Sequence, residues 1–177
     1  MSAAVMFNQR LVFAIAIWRA RVFREREQFG LAMKALDGIY RAFRALGPSD
    51  AVSPIVNLFY ADLASRSLNK GQSFDYCEVA LKQLTNNRHE GPALSQYDER
   101  YMKFYCKILL AGVSELRDSR AFQLAVSIET TFNTLRMERV APKIRSMFPM
   151  TEELGRELDS YVNEKGEGLE GTGEPET

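Results

Sequence analysis

The chain has 177 residues, 46% of them hydrophobic and 26% charged, with 23 basic side chains balanced by 23 acidic ones. That length suits one domain with a core and is short for two. A formal net charge of zero gives no global case for nucleic acid or a membrane surface as partner. The most apolar run, Leu11 to Trp18, is far short of the roughly 20 residues a bilayer crossing needs.

Helix one is expected from about Asn8 to Glu27. Its first part is apolar almost all the way round between Leu11 and Trp18, the pattern of a helix buried in a fold. Arg10, Arg19, Arg21 and Arg24 precede the first acid, Glu25. An Arg-rich, acid-free amphipathic start is also how a mitochondrial presequence reads, so a cytoplasmic location is the expectation and a mitochondrial one the alternative. The same segment, flanked by arginines, has the make-up of a helix that lies in a membrane interface. Helix two covers Phe29 to Leu46 and is expected to stop at Gly47-Pro48-Ser49-Asp50.

Ser53-Pro54 offers an N-cap followed by proline at the first helical position, opening helix three, which runs to about Leu68. Ile55, Leu58, Phe59 and Leu63 share one side of it. Asn69-Lys70-Gly71 reads as a turn, with Ser73 capping helix four, which ends near Asn86-Asn87. The longest break is Arg88 to Ala93. Ser95 caps helix five, whose stripe is Tyr101, Phe104, Tyr105, Ile108, Leu109 and Gly112. Helix six is expected from Asp118 or Ser119 to about Arg139, and Pro142 and Pro149 interrupt the chain beyond it. Thr151 opens a short closing helix with Leu154, Leu158, Tyr161 and Val162 on its inner side. Residues 164–177 hold one large apolar residue, Leu169, and four of the eleven glycines, a composition expected to stay disordered. The reading is therefore all-α: one helical domain over 1–163 and an acidic tail over 164–177.

One phrase recurs. Phe29, Ala32, Ala35 and Ile39 are echoed by Phe74, Cys77, Ala80 and Leu84, and again by Phe122, Ala125, Ile128 and Phe132. An aromatic, small residues and a large apolar residue let a helix lie close against neighbours. The order implies three antiparallel helical hairpins, each with this phrase in its second helix, and a closing helix. In Asn57-Leu58, Gly71 and Ala80-Leu81, and in the Gly47-Pro48-Ser49-Asp50 turn, residues 10–140 resemble a tetratricopeptide-repeat protein. The resemblance implies stacked hairpins whose first helices line an open face that binds a partner's peptide or helix. An irregular helical bundle is the alternative architecture.

On that face the candidates are Arg100, Lys103 and Lys107, at offsets of zero, three and seven on helix five, with Tyr97 and Tyr101 beside them. Tyr60 and Arg66 of helix three join them, as does Asn57 through the resemblance. Cations beside aromatics suit an acidic peptide, an acidic helix or a C-terminal carboxylate. The acidic tail, with Glu164, Glu167, Glu170, Glu174 and Glu176, has the reach to compete for the stripe, or touches nothing.

Catalytic signals are absent from the sequence. His89 is the sole histidine, and it has no metal-ligand spacing with Cys77 or Cys106, so neither a metal nor a cofactor is expected. Both cysteines lie in apolar helical context, with one disulfide left open by the sequence. Asp98-Glu99 and Glu152-Glu153 point in different directions on a helix and sit near N-termini, where the dipole favours them. No phosphate loop or nucleophile elbow occurs. The expectation is a non-enzymatic adaptor, chaperone or assembly subunit. The rival is a basic-surface subunit of a ribonucleoprotein, from the net charge of +4 over residues 1–50, where Arg19, Arg26, Arg41 and Arg44 interleave with Trp18, Phe23, Tyr40 and Phe43.

Overall fold

The structure, a computed structural model, describes residues 2–86, 94–113, 127, 128, 130–152, 155, 156 and 159. Among these residues the fold is all-α, with no strand. The helices are α1 (Ala3–Glu25), α2 (Phe29–Ala42), α3 (Pro54–Arg66), α4 (Lys70–Asn86), α5 (Gln96–Val113) and the short α6 (Pro142–Met147), which comes after a 3-10 turn at Met137–Arg139. Residues 127, 128 and 130–132 are also helical, and the chain turns at 133 and 134, so the sixth predicted helix stops short of Arg139. His89, the tail and the inner residues Leu154, Leu158, Tyr161 and Val162 of the closing helix lie outside the described residues. So do Phe122 and Ala125 of the third phrase. The chain divides into two compact units, Met1–Ala93 and Leu94–Thr177, where the sequence leads to one domain over 1–163.

In the first unit α1 packs on α2, α2 on α3 and α3 on α4. Ser53 Oγ accepts from the Ile55 N–H at 3.3 Å with Pro54 at the first helical position, as the sequence requires. The start of α4 differs from expectation. Asn69 caps it, its Oδ1 accepting from Gln72 N–H at 3.2 Å. Ser73 instead is buried and donates to the Ala61 carbonyl of α3 at 3.0 Å, so its hydroxyl joins two helices rather than ending one.

α1, α2 and α3 all close in the same way. Glu27, Arg44 and Leu68 take left-handed φ values of 57°, 55° and 62°. The next N–H in each case reaches back across the end: Gln28 to Phe23 O, Ala45 to Tyr40 O and Asn69 to Ala64 O, each at 2.9 Å. These are Schellman closures, for which glycine is the usual residue. Because Arg44 supplies the left-handed turn itself, α2 ends at Ala42, before the Gly47-Pro48 stop. A left-handed φ costs a side-chain-bearing residue about 1–2 kcal/mol, partly offset by the entropy glycine loses on folding. Leu68 is 84% exposed and loses little burial when truncated. Leu68→Gly is therefore expected to stabilise the protein by about 0.5–1 kcal/mol, read as a higher urea midpoint with unchanged m-value.

α3 is the centre of the first unit: every residue from Pro54 to Ala64 is buried. An apolar helix enclosed on all sides is a core helix, so α3 lines no open face. α1 departs from expectation in the opposite sense. It has 23 residues and α2 has 14, and the end of α2 reaches the middle of α1, with the Phe13 and Phe43 rings 5.6 Å apart. α2 thus covers one side of the later turns of α1 and leaves Leu11, Val12, Ile15 and Trp18 exposed, where the sequence leads to burial.

In the second unit Ser95 and Asp98 form a capping box at the start of α5: Ser95 Oγ accepts from Asp98 N–H at 3.1 Å and Asp98 Oδ2 from Ser95 N–H at 3.4 Å. Asp98 Oδ1 also accepts from the Ala141 N–H at 2.8 Å, tying the lead into α6 to α5. Its burial is explained by these three bonds, of which helix-dipole reasoning foresees only the local part. Phe148 seats the segment after α6 on α5. Its carbonyl accepts from the Tyr101 hydroxyl, and its ring lies 5.4 Å from that of Tyr105. Gly112, placed on the apolar stripe by its spacing, is exposed.

The recurring phrase is mostly a packing signal. Ala32, Ile39, Cys77, Ala80, Leu84 and Ile128 are buried. Phe132, the last member, is 51% exposed and reaches only the edge of the core through the Phe104 ring, 5.9 Å away. Cys77 and Cys106 are both buried and no disulfide joins them, so the bridge left open by the sequence is not formed.

Candidate functional site

The candidate binding residues separate by unit. Asn57, Tyr60 and Arg66 belong to the first, and Tyr97, Arg100, Tyr101, Lys103 and Lys107 to the second.

Asn57 is fully buried and works inside the fold. Its Oδ1 accepts from the Tyr40 hydroxyl at 2.8 Å, and its Nδ2 donates to Gln83 Oε1 at 2.9 Å, Ser49 O at 3.0 Å and Val52 O at 3.3 Å. Gln83 Nε2 in turn donates to Val52 O at 2.7 Å and Asp50 O at 3.2 Å. Two side-chain amides thus hold the loop between α2 and α3, and nothing of Asn57 is left to meet a partner.

Tyr60 is buried as well. Its ring stacks on Tyr76 at 4.1 Å, and both meet Tyr40 edge-on, at 5.5 Å and 5.4 Å. Its hydroxyl donates to Asp37 Oδ1 at 3.5 Å. Burial is the first cause that raises the hydroxyl pKa of all three tyrosines above the usual value near 10. Next come the charges of Tyr76, Tyr60 and Asp37 for Tyr40, those of Asp37 and Tyr76 for Tyr60, and those of Asp37 and Asp75 for Tyr76, where a hydrogen bond with Tyr60 acts in the opposite direction. A folded-state pKa above the unfolded one means the unfolded chain loses these protons first. Stability is therefore complete below pH 10 and falls as the pH climbs above it. Urea unfolding carried out at rising pH is expected to show that fall; Tyr40→Phe, which removes the most buried of the three hydroxyls, is expected to reduce its slope.

Arg66 is half-buried and bound to Asp62, Nε to Oδ2 at 3.2 Å. The same oxygen accepts from Arg24 Nη1 at 3.2 Å, and the Arg24 guanidinium lies over the Phe59 ring, 4.6 Å from its centre. Arg24 and Asp62 are 7% and 3% exposed at the side chain, so the pair is internal. Arg66 is its outer member, engaged within the fold rather than held out to a partner.

On α5, Tyr101 faces inward, with its ring in the core and its hydroxyl on Phe148 O. Its polar tip is satisfied internally, as buried tyrosines require. Tyr97 is half-exposed and accepts from Arg139 Nη1 at 3.2 Å, with the guanidinium 5.3 Å from its ring centre. Arg139 is thus a cation beside α5 for which the sequence gives no local signal, being 42 residues away. Arg100 is exposed, and Lys103 and Lys107 are half-buried. Lys107 Nζ donates to Ser127 Oγ at 2.7 Å and Thr131 Oγ1 at 3.3 Å. Burial, and then the charge of Lys103, hold its ammonium below the usual value near 10.5. Ser127 and Thr131, four apart on a helix, could have been read as a hydroxyl pair, but nothing local aims them at Lys107.

The result is a narrow cationic edge. Residues 101, 102, 104–106 and 108–111 of α5 are buried, and between Gln96 and Leu110 the helix keeps Gln96, Tyr97, Glu99, Arg100, Lys103 and Lys107 accessible. Glu99 is the single acid among them. Arg100, Lys103 and Lys107 lie within about 60° of one another around the axis. Of the arginines in the nucleic-acid reading, Arg19, Arg26, Arg41 and Arg44 are exposed, but Tyr40 is buried and offers no stacking surface. Among the described residues no group of three acidic, histidine or cysteine side chains is placed to hold a metal ion, and no helix is long and apolar enough to cross a membrane. No family model matches the chain, and neither a curated protein nor a solved structure is significantly similar to it.

Proposed function

We propose that the protein is a non-enzymatic interaction module that holds an acidic segment of a partner protein, a peptide or a helix, along the cationic edge of α5. One observation carries this reading: between Tyr101 and Leu110 the accessible residues of α5 are Lys103 and Lys107, which continue the line of Arg100, with Glu99 the one acid beside it. Lys107 is a cation held in partly desolvated surroundings with a second cation beside it, an arrangement that an incoming carboxylate relieves. The hydroxyls of Ser127 and Thr131 fix the ammonium in place, so little side-chain entropy is lost when a carboxylate docks. Such a module serves as an adaptor or assembly subunit.

The test is the affinity of a glutamate-rich helical peptide for the full chain, measured by fluorescence anisotropy at several salt concentrations. Arg100→Glu with Lys103→Glu is expected to weaken binding by about tenfold or more, chiefly through repulsion, with the wild-type affinity falling as salt rises. Equal affinity in the double variant would remove the reading.

A further inference from the structure

The structure assigns a second surface, on α1, to an anionic phospholipid bilayer: we propose that α1 lies in the plane of the headgroups without crossing them. Leu11, Ile15 and Trp18 fall at offsets of zero, four and seven, one line along the helix. They are 50%, 48% and 64% exposed, and Val12, beside them, is 61% exposed. The opposite side is the packed one, where Ala20 and Arg24 are buried and Phe13 meets Phe43.

Large apolar side chains on one line of a solvated helix form a surface that wants covering, and the charges around it select the cover. At about 100° per residue, Arg10 and Arg19 stand on opposite borders of the line, and both are exposed. No acid precedes Glu25. A second copy of the chain would bring arginine against arginine with no carboxylate on this stretch to answer it. A bilayer needs no matching groove: a single convex helix can sink its apolar line to the depth of the acyl boundary. The arginine stems then lie along the apolar surface with their tips at the lipid phosphates. Trp18 is placed where indole rings favour the membrane–water boundary. α1 is also longer than α2, 23 residues against 14, and Phe43, just past the end of α2, meets it at Phe13, so the first turns of α1 extend beyond that contact. This surface belongs to the first unit and is independent of the α5 edge.

Trp18 is the sole tryptophan, so its emission reports on this face alone. With the full chain, vesicles of phosphatidylcholine mixed with phosphatidylglycerol are expected to shift that emission to the blue and to shield it from an aqueous quencher. Vesicles of phosphatidylcholine alone are expected to do neither. Ile15→Glu, or Leu11→Glu in its place, abolishes the response while the thermal melt stays as in the wild type, since both positions are solvated. Arg10→Gln and Arg19→Gln each weaken partitioning by about fivefold. The proposal is overturned by no shift with the mixed vesicles, by an equal shift with the uncharged ones, or by a lipid-free shift that grows with protein concentration. A shift produced only by an acidic helical peptide would also overturn it, assigning the face to a protein.

Discussion

Asp62→Ala is expected to destabilise the protein by about 3–5 kcal/mol, the usual penalty for removing one partner of a buried ion pair. The carboxylate oxygen that Asp62 presents at 3.2 Å to both Arg24 and Arg66 is the meeting point of α1 and α3. Without it the Arg24 charge stays buried over the Phe59 ring and loses the carboxylate oxygen that meets it at 3.2 Å. The asymmetry between the two arginines comes from exposure. Arg66 has 28% of its side chain in solvent and can turn outward, so Arg66→Ala is expected to cost less than about 1 kcal/mol. Replacing both buried partners, Arg24→Met with Asp62→Leu, is expected to recover most of the loss, because no charge is then left without an answer. Urea unfolding of the two single variants and the double variant reads all of this directly. A loss of under about 1 kcal/mol for Asp62→Ala would mean that the pair is solvated in solution.

Asn57→Leu is the other large effect, expected at about 3 kcal/mol or more. The side chains are close in size, so the cost is one of hydrogen bonding. The Tyr40 hydroxyl and Gln83 Oε1 each lose a partner in a buried setting, and the Ser49 carbonyl loses one donor while keeping the Val52 N–H. An unmet buried polar group costs about 1–3 kcal/mol. Gln83→Leu removes the other half of the same bracket, and the two changes are expected to be strongly non-additive because both act through the loop at residues 49–52. Hydrogen exchange localises the effect: protection of Val52, whose N–H donates to Ser49 O at 3.2 Å, is expected to fall further than that of α4. A uniform loss of protection instead would show that the amides support the whole unit and not this loop.

Both predictions rest on polar residues of α3 whose partners lie far away in the chain. The apolar line Ile55, Leu58, Phe59 and Leu63 is visible in the sequence, and so are the caps at Ser53 and Ser95. That the opposite side of α3 is also enclosed has no local signature. Asn57 meets residues 17 and 26 positions away, and Asp62 meets Arg24 at 38. A polar residue that is buried because a distant partner satisfies it looks, in sequence, like one that faces water. Tyr60 and Tyr101 are open to the same confusion, since a tyrosine ring serves a core as well as a binding surface. The end of α2 escapes the sequence for a different reason: Gly47-Pro48 can stop a helix, but Arg44 stops it first at the expense of a left-handed φ.

α1 shows the converse. A run apolar on nearly all sides suggests burial, yet burial requires a neighbour on each side, and the shorter α2 covers one. On α5 the sequence does better. The offsets of Arg100, Lys103 and Lys107 align them, and the structure keeps them on the helix's accessible edge. The hydroxyls that steady Lys107 come from residues 20 and 24 positions on and are beyond a local pattern.

The α5 reading is tested most directly by nuclear magnetic resonance of the full chain titrated with the glutamate-rich peptide. Amide shifts are expected to gather at Arg100, Lys103 and Lys107. The Lys107 ammonium, held low by burial and by Lys103, is expected to titrate at a higher pH once peptide carboxylates are bound. Shifts that avoid α5, or a Lys107 that titrates at the same pH with and without the peptide, would contradict the account.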